Sequence, residues 1–483
     1  MADYELQADL ALAKWLAEEE ITRQENVVLA RNYYAGEHDT KLTERQKEFL
    51  YFQRKGQERF AVNYCAVIVN AVCERLLVKG FGGKNEDLSA WAWGVWQDNR
   101  MDAKQLDVHR GAIRDGEYFV FVDWDDIEAR PVLLPHPRYT DPIADGTGFG
   151  CKAFYPDDDV NQPMEKASKR WTEEYLDARG RTKRQRRMNV YYPNRVEKWV
   201  LDTGNESGWA PLETEGEQWP VPWVGVRGEP LGIPIVHFYN PMRRSELWDA
   251  IPPQDLINKT ALDIIATADA AGFPIRFVTF DPTTDGLPPE DDGSNYIKLF
   301  PGAWVKVPAD SQIQVLDPAD IAKLLESLDS WIVKLAQITD TPISRFQLSR
   351  QIAAEGTLKQ QEAPLLGKVR ARQANLGNGW ENCLYVARNL ANVYGAGLDT
   401  EATLSTLWEP AETRDDKAFR EALELEMRMG VPKEKLWEKL GYDQDEIAKM
   451  RAMVGEEMQQ TANIGGALLE AFEGGGGVEP GGA

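Results

Sequence analysis

Asp317-Pro318-Ala319-Asp320-Ile321 opens the stretch that decides the fold, and Ile338-Thr339-Asp340-Thr341-Pro342 closes it. Between them, apolar residues recur at i, i+3, i+4, i+7, i+10, i+11, i+14 and i+17, which lays one continuous stripe along a helix. Asp317 is the predicted N-cap, with the acidic Asp320 three positions on, and Thr341-Pro342 is the stop signal. The stripe consists of Ile321, Leu324, Leu325, Leu328, Trp331, Ile332, Leu335 and Ile338.

A second helix is predicted upstream, over residues 252 to 271. It begins at Pro252-Pro253, because a proline in the first helical position loses no hydrogen bond. It ends at Gly272-Phe273-Pro274, a glycine followed by a pair that cannot continue a helix. A Pro- and Gly-rich, strand-like insert separates the two helices. This order, followed by a polar loop, is typical of a device that spans a distance rather than of an active site.

The rest of the chain adds further helices and a strand-rich region, so the fold class is predicted to be α+β. Helical periodicity is predicted over residues 5–35, 61–78, 88–112, 364–394, 414–429 and 433–455. Short runs rich in β-branched and aromatic residues predict strands over residues 117–124, 132–134, 152–155, 189–192, 196–201 and 233–238.

Length and charge bound the class of protein. A chain of 483 residues is expected to form two or more domains. Its 78 acidic and 55 basic residues give a net charge of −23, which disfavours a protein that coats nucleic acid. The same charge is compatible with a protein past which DNA slides without adhering. Solubility alone is an equally good interpretation of the acidity.

Cysteine usage and hydropathy bear on the compartment. Cys65, Cys73, Cys151 and Cys383 show no metal-ligand spacing, and a reducing compartment is expected. No apolar run approaches the roughly 20 residues that a membrane span needs. Residues 1–5 lack a charged-then-apolar signal pattern. We therefore expect that the protein does not associate with a membrane and that it is synthesised in a cytosol.

Catalytic signatures are missing from the sequence. There is no phosphate-binding P-loop pattern, no GxSxG elbow and no HExxH motif. The four histidines, His38, His109, His136 and His237, are scattered along the chain. Asp123, Asp125 and Asp126 could bind a cation, although a solvated hairpin end is the favoured interpretation. No enzyme activity, metal or cofactor is predicted.

One basic cluster stands out in this acidic chain. Residues 179–187 hold six basic side chains in nine positions, between two predicted strands. Two interpretations stay open: a solvated hairpin loop, or a docking point for nucleic acid or an acidic partner. The candidate residues are Arg181, Lys183, Arg184, Arg186 and Arg187.

The polar loop after the striped helix carries arginine and glutamine but few acidic residues. Arginine and lysine attract phosphates without reading base sequence, and glutamine can donate hydrogen bonds. An ordinary surface loop is the alternative. The candidate DNA-contacting residues are Arg345, Gln347, Arg350, Gln351, Lys359 and Gln360.

The order of these parts resembles the portal protein of tailed double-stranded DNA bacteriophages, especially the family typical of phages with long, non-contractile tails. Glu355 and Thr357 depart from the small residues usual in the family's motif after the tunnel loop. The resemblance covers nearly the whole chain to about residue 455. The stretches that carry it are Arg31–His38, Asn63–Asn70, Leu76–Phe81, Gly232–Phe238 and Ala354–Lys359.

The resemblance implies a mainly helical, ring-forming α+β fold with a β-rich wing and a small α/β clip. The implied parts are a wing (1–240), a first stem helix (241–272), a clip (273–316), a second stem helix (317–341), a tunnel loop (342–358), a wing helix (359–400), a crown (401–471) and a disordered tail (472–483).

The resemblance also implies the function. Such proteins form a ring, usually of twelve subunits, at one capsid vertex of the virion. A separate ATP-hydrolysing terminase drives double-stranded DNA through the ring, and the DNA later leaves by the same route. Implied partners are the terminase, a head–tail connector, the major capsid protein and the scaffolding protein, with assembly in the host bacterial cytoplasm. The implied partner-binding residues of the clip are Phe280, Tyr296, Phe300 and Trp304.

Two alternatives stay open at this point. The chain could be another phage capsid or connector component with the same acidic α+β character. It could also be a metal-dependent nuclease built on Asp123, Asp125 and Asp126. The helix–insert–helix order favours the portal interpretation over both.

Overall fold

A computed structural model gives the structure of most of the chain. It describes residues 21–38, 60–140, 147–176, 179–202, 209–212, 216, 218–272, 276–280, 304–308, 320–346, 355–412, 416–440, 442 and 446–459. The predicted disordered tail, Tyr296, Phe300, Gln347, Arg350 and Gln351 lie outside these residues. The described part is mixed helix and strand, so the α+β class is confirmed.

The N-terminal part is helical, and it corrects two predicted helices. The helix predicted over residues 61–78 ends at Cys73, and Val78 instead begins a strand that is rich in glycine. The helix predicted over residues 88–112 is two helices, because Arg100 takes a left-handed conformation (φ 54°) between them. These helices are α1 (Ile21–Ala35), α2 (Cys65–Cys73), α3 (Glu86–Asp98) and α4 (Met101–Asp115), and the new strand is β1 (Val78–Gly83).

Side-chain hydrogen bonds of Asn99 and Gln105 stabilise these two differences from the predicted helices. The side-chain amide of Asn99 donates to the carbonyls of Val95 and Pro131, and its oxygen accepts the backbone N–H of Leu133. The oxygen of Gln105 accepts the backbone N–H of Val78. Both side chains replace helical hydrogen bonds with tertiary ones, which a periodicity argument does not detect.

The strand-rich region forms two antiparallel sheets, and the predicted strands are present in it with changed ends. The first sheet has the order β10 (Ile235–Tyr239), β2 (Glu117–Asp125), β3 (Arg130–Pro137). The second has the order β4 (Gly150–Phe154), β5 (Lys166–Leu176), β6 (Thr182–Tyr191), β7 (Arg195–Asp202), β8 (Ala210–Pro211), with β9 (Val221–Pro222) also paired to β7.

The striped segment forms the predicted helix, and the upstream helix is present as well. They are α5 (Ile251–Gly272) and α6 (Ile321–Ile338), which pack against each other. Asp320, rather than the predicted Asp317, caps α6, since its carboxylate accepts the backbone N–H of Ala322 at 3.0 Å. In the insert between the helices, β11 (Arg276–Phe280) and β12 (Trp304–Pro308) pair in parallel.

A 39-residue helix, α7 (Glu355–Val393), follows. It begins nine residues before the predicted start and runs through Pro364, so residues 355–358 of the predicted tunnel loop are helical. Beyond it lie β13 (Leu404–Trp408), α8 (Asp416–Arg428), α9 (Lys433–Leu440) and a helical stretch over residues 446–459. The helix predicted over residues 433–455 is therefore interrupted, since Tyr442 is not helical.

The main core lies where α7 crosses the N-terminal helices and β10. Trp380 of α7 packs edge-on against Trp96, with ring centroids 4.9 Å apart, and its indole N–H donates to Nε2 of His109 at 2.9 Å. Burial lowers the pKa of His109 to about 4, so this histidine is a neutral core residue.

No helix in the described residues is long and apolar enough to cross a membrane.

Gly379 permits the close approach of α7 to β10. A Cβ atom at this position would lie 2.6 Å from the ring of Phe238, which is itself fully buried. We expect Gly379→Ala to lower the free energy of unfolding by about 1–3 kcal/mol through overpacking. Gly367→Ala, where a Cβ would meet nothing, should raise it by up to about 1 kcal/mol. Urea unfolding of both variants checks the pair, and equal effects would contradict this role for Gly379.

Candidate functional site

The apolar stripe of α6 divides between two environments. Ile332 and Leu335 are buried in the main core, and Leu328 and Trp331 are partly buried against it. At the two edges of the stripe, on either side of these residues, Leu325 is 47% exposed and Ile338 is 53% exposed. Ile321 and Leu324 are of intermediate exposure. Half of the stripe therefore serves the chain's own fold, and the other half stays available to another surface.

Further exposed apolar side chains lie on α5, which packs against α6, and on α6 itself. Leu256 and Ile265 of α5 and Val333 of α6 are exposed apolar side chains. Apolar residues that recur along both helices of an exposed hairpin indicate an interaction face rather than isolated exceptions. The packing of the stripe against other subunits stays a prediction.

A buried ionic cluster joins the base of this helical hairpin to α7. Glu246, which lies just before α5, pairs with Lys368 at 2.9 Å and with Arg372. The Lys368 ammonium also donates to the carbonyl of Thr339 at 2.7 Å. That carbonyl stands at the C-terminal end of α6, where helical carbonyls lack partners and attract cations. The cluster thus fixes both hairpin helices to the long helix.

Charge sets the protonation state of this cluster. Burial by itself raises the pKa of the Glu246 carboxyl, but the charges of Lys368 and Arg372 outweigh burial and hold the pKa below its usual value. Glu246 is therefore ionised in the folded protein. A group whose pKa is lowered by folding contributes stability above its unfolded pKa and loses that contribution as the pH falls through its folded pKa.

We expect Glu246→Gln to lower the free energy of unfolding by about 3 kcal/mol at pH 7, because two buried cations lose their carboxylate. The difference from wild type should shrink as the pH falls below about 4.3, the unfolded pKa of a glutamate. Asp249→Asn, which removes an exposed partner of Arg244, should cost less than about 1 kcal/mol. Denaturant unfolding between pH 3 and pH 7 measures all three proteins, and a pH-independent difference would contradict the assignment.

The start of the predicted tunnel loop is held by an ion pair. Arg345 lies 3.0 Å from Glu74 of the α2 end, and both side chains are partly exposed. They border a cleft of about 250 Å³ that also contains Arg75, Glu409 and Glu412. Arg75 donates to the carbonyl of Ala411 at 2.6 Å and pairs with Glu362 of α7. Arg345 is thus paired with a carboxylate in the single chain.

The other predicted DNA-contacting residues lie either on α7 or outside the described residues. Lys359 and Gln360 lie on α7, and Gln360 is exposed. Gln347, Arg350 and Gln351 lie outside the described residues. The structure therefore leaves their contact with DNA as a prediction.

The predicted clip residues divide in the same way. Phe280 ends β11 and Trp304 begins β12, at opposite ends of the parallel pair. Tyr296 and Phe300 lie outside the described residues. The described part of the insert is thus a two-stranded sheet at the far end of α5 and α6.

The basic cluster is a strand, which corrects the predicted loop. Lys183, Arg184, Arg186 and Arg187 lie on β6, and only Arg181 lies in the turn before it. Arg184 pairs with Glu174 at 2.8 Å and Arg187 pairs with Glu173 at 2.7 Å, both across the strand pair with β5. A polar hairpin that is exposed on both faces has no apolar alternation, so its sequence carries no strand signal.

Two of the three candidate metal-binding aspartates accept hydrogen bonds from the backbone. One Asp125 oxygen accepts the N–H groups of Ile127 and Glu128, which closes the β2–β3 turn. Asp123 accepts its neighbour's backbone N–H. Within the described ranges, no three His, Cys, Asp or Glu side chains form a group that could hold a metal ion.

Sequence reasoning missed Glu246, Lys368 and Arg372, which are far apart in the chain and belong to no motif. It also missed the stacking of Trp124 on Tyr394, at a ring-centroid distance of 4.2 Å. The charge of Glu246 just before α5 is the one local sequence signal that could have indicated the ionic cluster.

Comparison with known families gives one result that spans most of the chain. The model of the family described as phage portal protein, SPP1 Gp6-like, matches residues 13–460 of 483. No curated protein matches the chain.

Proposed function

The chain belongs to the phage portal protein family of the SPP1 Gp6-like type, and from this premise we propose that it forms the portal ring at one capsid vertex. Terminase would package double-stranded DNA through this ring, and the DNA would later leave through it. The family is structural rather than catalytic, and it places the chain in the virion with phage assembly partners.

The α5–insert–α6 hairpin, with α7 following after residues 339–354, is the main support for this proposal. The hairpin is anchored by the Glu246 cluster and presents exposed apolar residues on both helices. Such residues suit a wall built from repeated copies of the same hairpin, because each copy covers the exposed flank of the next. Twelve copies are proposed on the family resemblance.

Charge supports passage of DNA without adhesion. Twelve chains of −23 carry a total of 12 × 23, or −276 charges. Such a field discourages phosphates from binding the wall. Local cations near the loop, such as Arg345 and Arg350, then supply weak contacts that do not depend on base sequence.

The insert supports the proposed docking of partners. A sheet of two strands is marginal on its own, so β11 and β12 would gain stability by pairing with strands of a neighbouring subunit. We propose that this clip binds the terminase during packaging and a head–tail connector afterwards. The major capsid and scaffolding proteins would contact the wing during assembly in the host cytoplasm.

We expect the double variant Leu325→Asp, Ile338→Asp to remain folded but to form no rings, because it places charge on exposed apolar positions at both edges of the α6 stripe. Circular dichroism checks folding, and negative-stain microscopy with sedimentation velocity checks assembly. The matched control is Ser327→Asp, Ser330→Asp, at exposed polar positions of the same helix. Intact rings in the apolar-flank variant, or a wild-type protein that is a compact monomer, would overturn the proposal.

Leu328 and Trp331 are unsuitable for that test. Both pack partly against the chain's own core, so aspartate there would unfold the helix as well as prevent assembly.

We expect Arg345→Glu, Arg350→Glu to leave empty heads forming while packaged DNA falls, because the loop loses its attraction for phosphate. Glu74→Gln is the control, since it breaks the Arg345 ion pair but keeps the positive charge. Packaged DNA in heads from infected or complemented cells is the measurement. Normal packaging by the double variant would show that these arginines do not contribute.

A further inference from the structure

An aromatic cleft lies where the end of α7 meets the β2–β3 turn. Trp124 and Tyr394 stack face to face, with an angle of 4° between their rings. Tyr394 remains 57% exposed, so the outer part of this stack is open. The cleft has a volume of about 390 Å³, and its lining also includes Asp126, Ala129, Ala391, Gly395 and Ala396.

The electrostatics of this cleft favour a cation. Residues 123–130, which comprise the β2–β3 turn and the strand ends beside it, include four acidic residues and one basic residue, a net charge of −3. Its one basic residue, Arg130, is engaged by Glu128 and by the carbonyl of Asp98. The C-terminal end of α7, whose carbonyls attract positive charge, adjoins the same cleft.

The chemistry of these groups recognises an arginine or a lysine. A guanidinium or ammonium group is attracted to the face of a tyrosine or tryptophan ring. A nearby carboxylate, here Asp126 at 3.4 Å from the Tyr394 hydroxyl, adds a charged acceptor. The two features together select a cationic side chain over a neutral polar one.

The chain itself carries a segment of complementary charge. The β5–β6 hairpin, residues 171–187, has six basic and three acidic residues, a net charge of +3, although the whole chain carries −23. Its outer part is exposed on both faces, and Leu176 near its turn is 70% exposed. Ile127, beside the cleft, is exposed as well, so the contact could also bury apolar surface.

We propose that the acidic aromatic cleft of one subunit receives the basic β5–β6 hairpin of a second copy of this chain. The inference rests on the proposed ring. A ring requires a head-to-tail interface in which two different surfaces of one chain meet. The hairpin and the cleft are such a pair, opposite in charge and located on different sheets.

Reversal of charge tests the contact in the full-length protein. Asp123→Lys, Asp126→Lys should raise the concentration for half-maximal ring formation at least about fivefold, because like charges then face each other across the interface. Arg181→Glu, Lys183→Glu should do the same. Mass photometry over a concentration series at low and high salt gives the measurement.

Mixing distinguishes a contact between subunits from one within a chain. An equimolar mixture of the two variants should assemble close to wild type, since alternating subunits restore opposite charges at every contact. If assembly recovers only in a single chain that carries all four substitutions, and not in the mixture, the contact lies within the chain and the proposal is overturned.

Matched controls complete the test. Asp107→Lys and Lys84→Glu reverse other surface charges and should leave assembly unchanged. Tyr394→Phe should keep assembly and Tyr394→Ala should weaken it, because the ring face rather than the hydroxyl binds the cation. If wild-type rings form and no charge reversal affects them, only this inference fails. If the hairpin variant forms normal rings but packages less DNA, the hairpin contacts nucleic acid and the inference is overturned. If the wild type forms no rings, the proposed function fails.

Discussion

The close packing of α7 over β10 and the N-terminal helices is the constraint on which the rest of the structure depends. Gly379 lets the helix lie against Phe238, and Trp380 then reaches both Trp96 and His109. One turn of helix thereby joins segments that are distant in the sequence. Since the same helix carries Lys368 and Arg372, its position also sets the position of the α5–α6 hairpin.

The hairpin combines two roles that usually compete. Part of its apolar surface is buried within the chain, and part stays exposed, where the proposed ring would use it to contact other copies. The Glu246 cluster reconciles these roles, because it anchors the hairpin by charge and hydrogen bonds rather than by using the remaining apolar residues. The hairpin is thereby held in place within the single chain, while Leu325 and Ile338 remain exposed.

The overall charge of the chain and the charge at particular positions differ in sign. The chain is strongly acidic overall, with a net charge of −23, but four basic residues cluster on β6. Arg345 shows why position matters more than residue type: a cation predicted to face DNA is paired with Glu74 in the single chain. Long-range repulsion and short-range attraction can thus coexist, since the first depends on total charge and the second on a few contacts.

The sequence by itself determined the α+β class, α5, α6 and most strands, because apolar periodicity, caps and β-branched runs are local properties. It also indicated the family, through the order of weak motifs. Only the tertiary structure decided that Val78 pairs with Trp408 in a sheet, that the α6 stripe is shared between core and surface, and that the basic cluster is a strand. These outcomes depend on which distant groups meet. A local pattern states what a residue can do, whereas burial and pairing with distant partners select which of those possibilities is realised.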